Sequence, residues 1–144
     1  MTDPRLAIEV SALAPYFPKF RWYQHEGEVF TEGPIHTNSG RLYGLRVVLE
    51  RGYPNTIPTA IVTYPKPLLD HHGEPLAMRG ESSHMHILRP QDGMVTICHY
   101  PAWTWTPQRT VYQVVVKARI WFEAYELHLA RGAWIDSWLG HAPA

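Results

Sequence analysis

The sequence predicts an α+β fold: a short N-terminal helix, an antiparallel four-stranded meander, a long loop carrying the only cysteine, and a long C-terminal helix. Three observations predict it. Residues 20–64 alternate aromatic or β-branched side chains with polar ones and are broken by turn residues, the period of half-buried strands. Helical spacing of apolar residues appears before that region and again after Pro107. Residues 65–83 are crowded with Pro65, Pro67, Gly73, Pro75 and Gly80, a composition that reads as loop.

The elements follow in order. Thr2-Asp3-Pro4 is a helix start, with a capping side chain and Pro at the first helical position. Leu6, Val10 and Leu13 then recur at helical spacing, and Pro15 and Pro18 end the element. Two short strands are expected between Phe20 and Thr37, with turns at Glu26-Gly27-Glu28 and Glu32-Gly33-Pro34. Asn38-Ser39-Gly40 is a further turn, and Arg41 to Glu50 reads as a strand whose buried face includes Leu45, Val47 and Leu49. Thr59 to Tyr64 is the next strand, and the short connections imply antiparallel pairing. Pro65 to Ser83 is expected to be loop, with one turn of structure around Pro75 to Met78. Thr110 with Gln113 forms a capping box. From Val111 to Arg131 apolar residues including Trp121 recur every three to four positions, and Gly132 supplies the stop. In the tail, Ala133 to Ala144, the apolar anchors Trp134, Ile135 and Trp138 are expected to dock back on the domain.

The bulk numbers bound the function. A chain of 144 residues fits one domain, 1–144, large enough to bury ~68–70% of its unfolded surface. Thirteen Lys+Arg against thirteen Asp+Glu cancel, which argues against a nucleic-acid binder that works by neutralising phosphates. The first residues hold no basic segment followed by an apolar core, and no apolar run approaches the roughly 18 residues of a membrane span. One cysteine makes no internal disulfide, which fits a reducing compartment. These features predict a cytosolic, cytoplasmic protein.

The chemistry concentrates between His84 and Pro107, which holds Cys98, three of the nine histidines (His84, His86, His99) and the tryptophans Trp103 and Trp105. A thiol here is a buried small hydrophobe, a metal ligand or a nucleophile. Cys98 ends the apolar run Met94-Val95-Thr96-Ile97 and is followed at once by His99-Tyr100-Pro101. It therefore stands where a strand gives way to a loop. His84 and His86, two apart on an extended segment, would point the same way, and Cys98, His99, His71 or His72 could complete a zinc site. The spacing matches no dense metal pattern, and His71-His72-Gly73 reads as a solvated turn. No metal or other cofactor is therefore expected.

The order of parts resembles the ubiquitin-conjugating enzyme family. The resemblance rests on Tyr53-Pro54 and Pro58 after the strands, then His86, Asp92-Gly93, Ile97-Cys98, and Trp105-Thr106-Pro107 before a capped helix. It covers about Leu6 to Arg131. In that family a Tyr-Pro…Pro-Pro loop precedes a His-Pro-Asn motif, a Gly-x-Ile-Cys-Leu segment with the thioester cysteine, and Trp-Ser-Pro. Here Gly93 stands two residues further from the cysteine, and Ile87 and Leu88 take the places of the motif's Pro and Asn when His86 takes its His. With His84 as that His, His86 falls at the Asn position. The family's two further helices, and the acidic residue near its site, have no counterpart. These departures resemble a bacterial branch with Asp-Gly-x-x-Cys-x-Tyr-x-Pro and a helix ending in Tyr-Glu-Leu-x-Leu-Ala-x-Gly-x-Trp, here residues 125–134. Members of that branch are encoded in antiphage (CBASS) systems beside a cGAS-like nucleotidyltransferase.

The resemblance implies a ubiquitin-conjugating-like fold and a thioester carrier. Cys98 would attack an activated protein C-terminus, that of the cGAS-like nucleotidyltransferase, with or without a separate activating enzyme, and an amine would then take the acyl group. Because the Asn is missing, oxyanion stabilisation would fall to His86 or to the backbone around His99. A protonated His99 could instead lower the thiol pKa, but adjacent residues on a strand point apart, so His86 ranks above His99. His84, His99, Tyr100, Trp103 and Trp105 would border the channel for the donor's C-terminal tail. Two rivals stand beside this reading: a binding module of the same fold with an inactive site, and a Cys-His hydrolase, for which the sequence places no Asp or Asn to orient a His base.

Overall fold

The structure, a computed structural model, describes residues 1–140. Helix α1 spans Asp3–Leu13, with Thr2 as its side-chain cap and Pro4 in its first turn. Six strands follow: β1 (Arg21–His25), β2 (Glu28–His36), β3 (Leu42–Leu49), β4 (Thr59–Tyr64), β5 (Ile87–Gln91) and β6 (Met94–Ile97). They form one antiparallel sheet in the order β1-β2-β3-β4-β6-β5. Helix α2 runs over Val111–Arg131 and carries the Thr110–Gln113 capping box, with Gly132 in the left-handed conformation at its end. Short 3-10 turns occupy Leu76–Arg79, Ala102–Thr104 and Ile135–Ser137.

The sheet has six strands, not the four expected. The two further strands form the β5–β6 hairpin. β6 is the apolar run expected to end in a strand-to-loop junction at Cys98. β5 and its pairing were outside the four-stranded expectation, although Asp92 and Gly93 both take positive φ at the tip, the Asp-Gly turn that favours two-residue hairpins. Short strands and Pro90 hid it. Pro90 is tolerated because β5 is the edge strand. The hairpin matters for function because β6 pairs with β4 and delivers Cys98 at the end of an interior strand.

A second difference concerns Glu32-Gly33-Pro34, which lies within β2 rather than in a turn. The glycine serves packing: a Cβ on Gly33 would come within 2.9 Å of the Phe20 Cα and closer still to its ring. Gly33→Ala is therefore expected to destabilise the protein by about 1–3 kcal/mol, measured by chemical denaturation.

The core lies between the sheet and α2. Tyr43, Leu45, Val47 and Leu49 alternate inward from β3 and join Ala60, Val62 and Ile97. From α2 come Val114, Val115, Ala118, Trp121, Phe122 and Tyr125, and Tyr43 stacks on Phe122. The buried face of α1 differs from its apolar pattern. Val10 is exposed, whereas Glu9 is fully buried and Leu13 nearly so. Glu9 accepts from the Val111 N–H at 3.1 Å, from Arg5 and from the Tyr53 hydroxyl, and so ties α1 to the start of α2.

The tail anchors dock to different depths. Ile135 is fully buried, Trp138 is half-buried, and Trp134 is 43% exposed and stacks on His84. Residues 141–144 of the expected tail lie outside the described residues. Among the described residues no helix is long and apolar enough to cross a membrane.

Candidate active site

Cys98 follows the last residue of β6, and its N–H donates to the His86 carbonyl at 2.9 Å. His86 closes a tight turn, 83–86, pinched by the mutual backbone hydrogen bonds of Ser82 and Ile87. Met85 at the centre of that turn is fully buried, and its carbonyl accepts from the Trp121 indole at 3.0 Å. His86 takes a φ of 52°, a left-handed conformation that is uncommon outside glycine. His84 and His86 therefore do not sit two apart on an extended segment. His84 is exposed with its ring on Trp134, while His86 is buried.

Cys98 and His86 line one small cleft of about 70 Å³ together with His99, Lys117, Ile120, Trp121, Leu139 and Gly140. A much larger concavity of about 620 Å³ lies between α1, the β1–β2 turn and the end of β3, and contains neither Cys98 nor a histidine. Among the described residues, the smaller cleft is where a thiol, imidazoles and an ammonium converge, which makes it the candidate site.

The thiol is half-buried, and its sulfur lies 3.8 Å from the Tyr100 carbonyl. Burial, and then the negative charge of Glu81, push its pKa up, so the resting group is a thiol rather than a thiolate. His99 does not counter this. Its Nε2–H donates to the Pro58 carbonyl at 2.7 Å, Nδ1 has no partner among the described residues, and burial pushes its pKa down to about 4. Burial thus favours a neutral His99 near neutrality, which speaks against a protonated ring lowering the thiol pKa. Linkage gives this burial a pH signature. Between pH 6.5 and about 4 the unfolded chain binds a proton at this ring that the folded chain refuses, so stability falls as the pH falls through that window. The full loss is about 3 kcal/mol. Chemical denaturation at stepped pH should show it, with a flatter slope in His99→Gln.

Two cations lie over the Tyr100 ring, the Arg109 guanidinium 4.3 Å and the Lys117 ammonium 5.1 Å from its centroid. Trp105 packs against Tyr53, His99 and Tyr100, and its indole N–H donates to the Pro54 carbonyl at 2.9 Å. Trp103, on the Ala102–Thr104 turn, is 66% exposed and does not line the cleft. The structure thus brings Cys98, His86 and His99 together, sets Tyr100 and Trp105 beside them, and leaves the rings of His84 and Trp103 outside.

Two charged residues join the surroundings of Cys98 and His86 beyond those the sequence pointed to. Lys117 enters the cleft from α2. Asp136 accepts a hydrogen bond from His86 Nε2 at 2.6 Å, so an acid is placed against a His after all. The only trace of it in the sequence is its position beside Ile135, a docking anchor. Among the described residues, no three His, Cys, Asp or Glu side chains form a group that could hold a metal ion.

Neither a curated protein nor a solved structure matches the chain. One family does, over residues 9–141, and it is described as Type II CBASS E2 protein. The match takes in both strands that frame Cys98, the turn that holds His86, and the tail that supplies Asp136. The chain therefore belongs to the Type II CBASS E2 family, a family of bacterial proteins resembling ubiquitin-conjugating enzymes.

Proposed function

We propose that the chain is a single ubiquitin-conjugating-like domain that carries a protein C-terminus as a thioester on Cys98 and passes it to an amine. The observation that carries the reading is the half-buried thiol at the end of β6, sharing a cleft with His86 and Lys117, in a chain of the Type II CBASS E2 family. The donor is the C-terminus of a cGAS-like nucleotidyltransferase, and its conjugation primes that enzyme in antiviral defence.

The electrostatics support a carrier more than a hydrolase. A thiol with a raised pKa is a poor spontaneous nucleophile toward an ordinary amide, but it suffices for an acyl group that ATP has already activated. The Lys117 ammonium and the N–H groups of the loop after Cys98 offer positive charge to the oxyanion. His86 is the second catalytic residue. Tyr100 and Trp105 form a wall for the donor's tail, while His84 and Trp103 contact the donor further from the sulfur.

The test mixes the chain with a cGAS-like nucleotidyltransferase bearing a free C-terminus and ATP, with and without an activating enzyme. An adduct at the sum of the two masses, cleaved by a small thiol, is the expected result. Equal binding of the partner by wild type and Cys98→Ala with no adduct would make the chain a binding module. Cleavage of the partner without a stable adduct would make it a hydrolase.

A further inference from the structure

We propose that Asp136 is the positioning residue of this site, holding His86 as the Nε2–H tautomer so that Nδ1 relays a proton from the attacking amine to the departing Cys98 sulfur. The inference rests on the thioester reading above and deepens it.

The tautomer follows from the contact. An ionised carboxylate only accepts hydrogen bonds, so at 2.6 Å from Asp136 Oδ1 the His86 Nε2 must carry the hydrogen. In the neutral ring the lone pair then belongs to Nδ1, which makes that nitrogen a base before it is a donor. This differs from a plain oxyanion donor, the role the missing Asn would have filled.

The geometry holds the pair from both sides. Asp136 sits on the Ile135–Ser137 turn, next to the fully buried Ile135. Its N–H donates to the His84 carbonyl at 2.8 Å, so backbone and side chain of Asp136 both bind the turn that carries His86. That turn is clamped in its own right by Met85 and Trp121. The His86 carbonyl in turn accepts the Cys98 N–H. Acid thus touches imidazole, the backbone that carries the imidazole holds the backbone of Cys98, and ring and thiol line the same cleft, from three separate segments. Among the described residues, the other charged or titratable side chains about the cleft are Lys117 from α2 and His99 after β6, with Glu81 acting on the thiol.

The step balances within the site. The amine nitrogen attacks the thioester carbon, a C–N bond forms and the C–S bond breaks. The nitrogen gives one proton to His86 Nδ1, the sulfur leaves with the bonding electron pair, and that proton passes on to it. The products are an amide, the Cys98 thiol and neutral His86. Proton return matters here because burial and Glu81 disfavour a bare thiolate at this position.

The experiment loads wild type, Asp136→Asn and His86→Gln with the nucleotidyltransferase C-terminus, then chases with free lysine or with hydroxylamine. Hydroxylamine is unprotonated near neutrality and strongly nucleophilic, so it needs little base assistance. Counted per loaded molecule, discharge to lysine is expected to fall about 100-fold in His86→Gln and about 10-fold or more in Asp136→Asn, while discharge to hydroxylamine changes far less. Nitrogen NMR of the imidazole should show the Nε2–H tautomer in wild type and a mixture in Asp136→Asn. Parallel loss toward both nucleophiles, no loss toward lysine in Asp136→Asn, or an Nδ1–H tautomer in wild type would overturn the proposal while leaving the carrier reading intact. A wild type that forms no adduct overturns the carrier reading itself, and the relay with it.

Discussion

Cys98→Ala is expected to abolish the thiol-cleavable adduct completely while leaving the fold in place. The two halves of that expectation have separate causes. Only a soft, polarisable sulfur gives an ester that an amine readily displaces, and alanine offers no nucleophile. The fold tolerates the change because the side chain is half-buried and follows β6 rather than lying within it. The stability cost should be about 1 kcal/mol or less. Intact-protein mass spectrometry reads the first quantity and chemical denaturation the second. Cys98→Ser sharpens the result. Its hydroxyl, far less acidic than a thiol, should load slowly and give an oxygen ester that survives thiols and yields to mild base. An adduct that persisted unchanged in Cys98→Ala would place the linkage on another residue and end the thioester reading.

The second large effect is structural and lies far from the sulfur in sequence. Glu9→Ala is expected to cost about 3–5 kcal/mol, because removing one member of a buried charged cluster strands the others. The stranded groups are the Val111 N–H at the start of α2, the Tyr53 hydroxyl and the Arg5 guanidinium. Arg5 also donates to the carbonyls of Pro107 and Arg109, both at 2.7 Å. The same cluster therefore holds the segment between Trp105 and α2. For a domain whose net stability is about 5–15 kcal/mol, such a loss is a large fraction of the total. Glu9→Gln keeps an acceptor for Val111 and should cost less. Denaturation curves for the two variants check the order, and equal losses would show that the charge rather than the acceptor holds the cluster together.

The location of these two residues shows why some features were legible and others were not. The limits of α2 could be read from Thr110, Gln113 and Gly132 because caps and stops act over one turn of helix. β4 was read at Thr59–Tyr64 because alternation and flanking prolines are local signals. The β5–β6 hairpin carried the same kind of signal in Asp92-Gly93, but its strands of five and four residues were too short to show a period. Glu9 was invisible for the opposite reason. A carboxylate on an apolar helix face reads as solvated unless its partners are known, and Tyr53 and Val111 lie far along the chain.

The candidate site divides in the same way. By itself the sequence determined a cysteine at a strand-to-loop junction, the histidines around it, the long helix behind it, and the resemblance that led to the family. Those are properties of neighbours in the chain and of their order. Only the tertiary structure decided which histidine shares the cleft with Cys98 in a buried, acid-held state, and that His84 faces Trp134 instead. It also decided that Lys117 and Asp136 join the site. The reason is physical. His86 is aimed by a left-handed turn anchored through Met85 to Trp121, and Asp136 is aimed by the burial of Ile135. Both are long-range packing events, and no local period or cap records them.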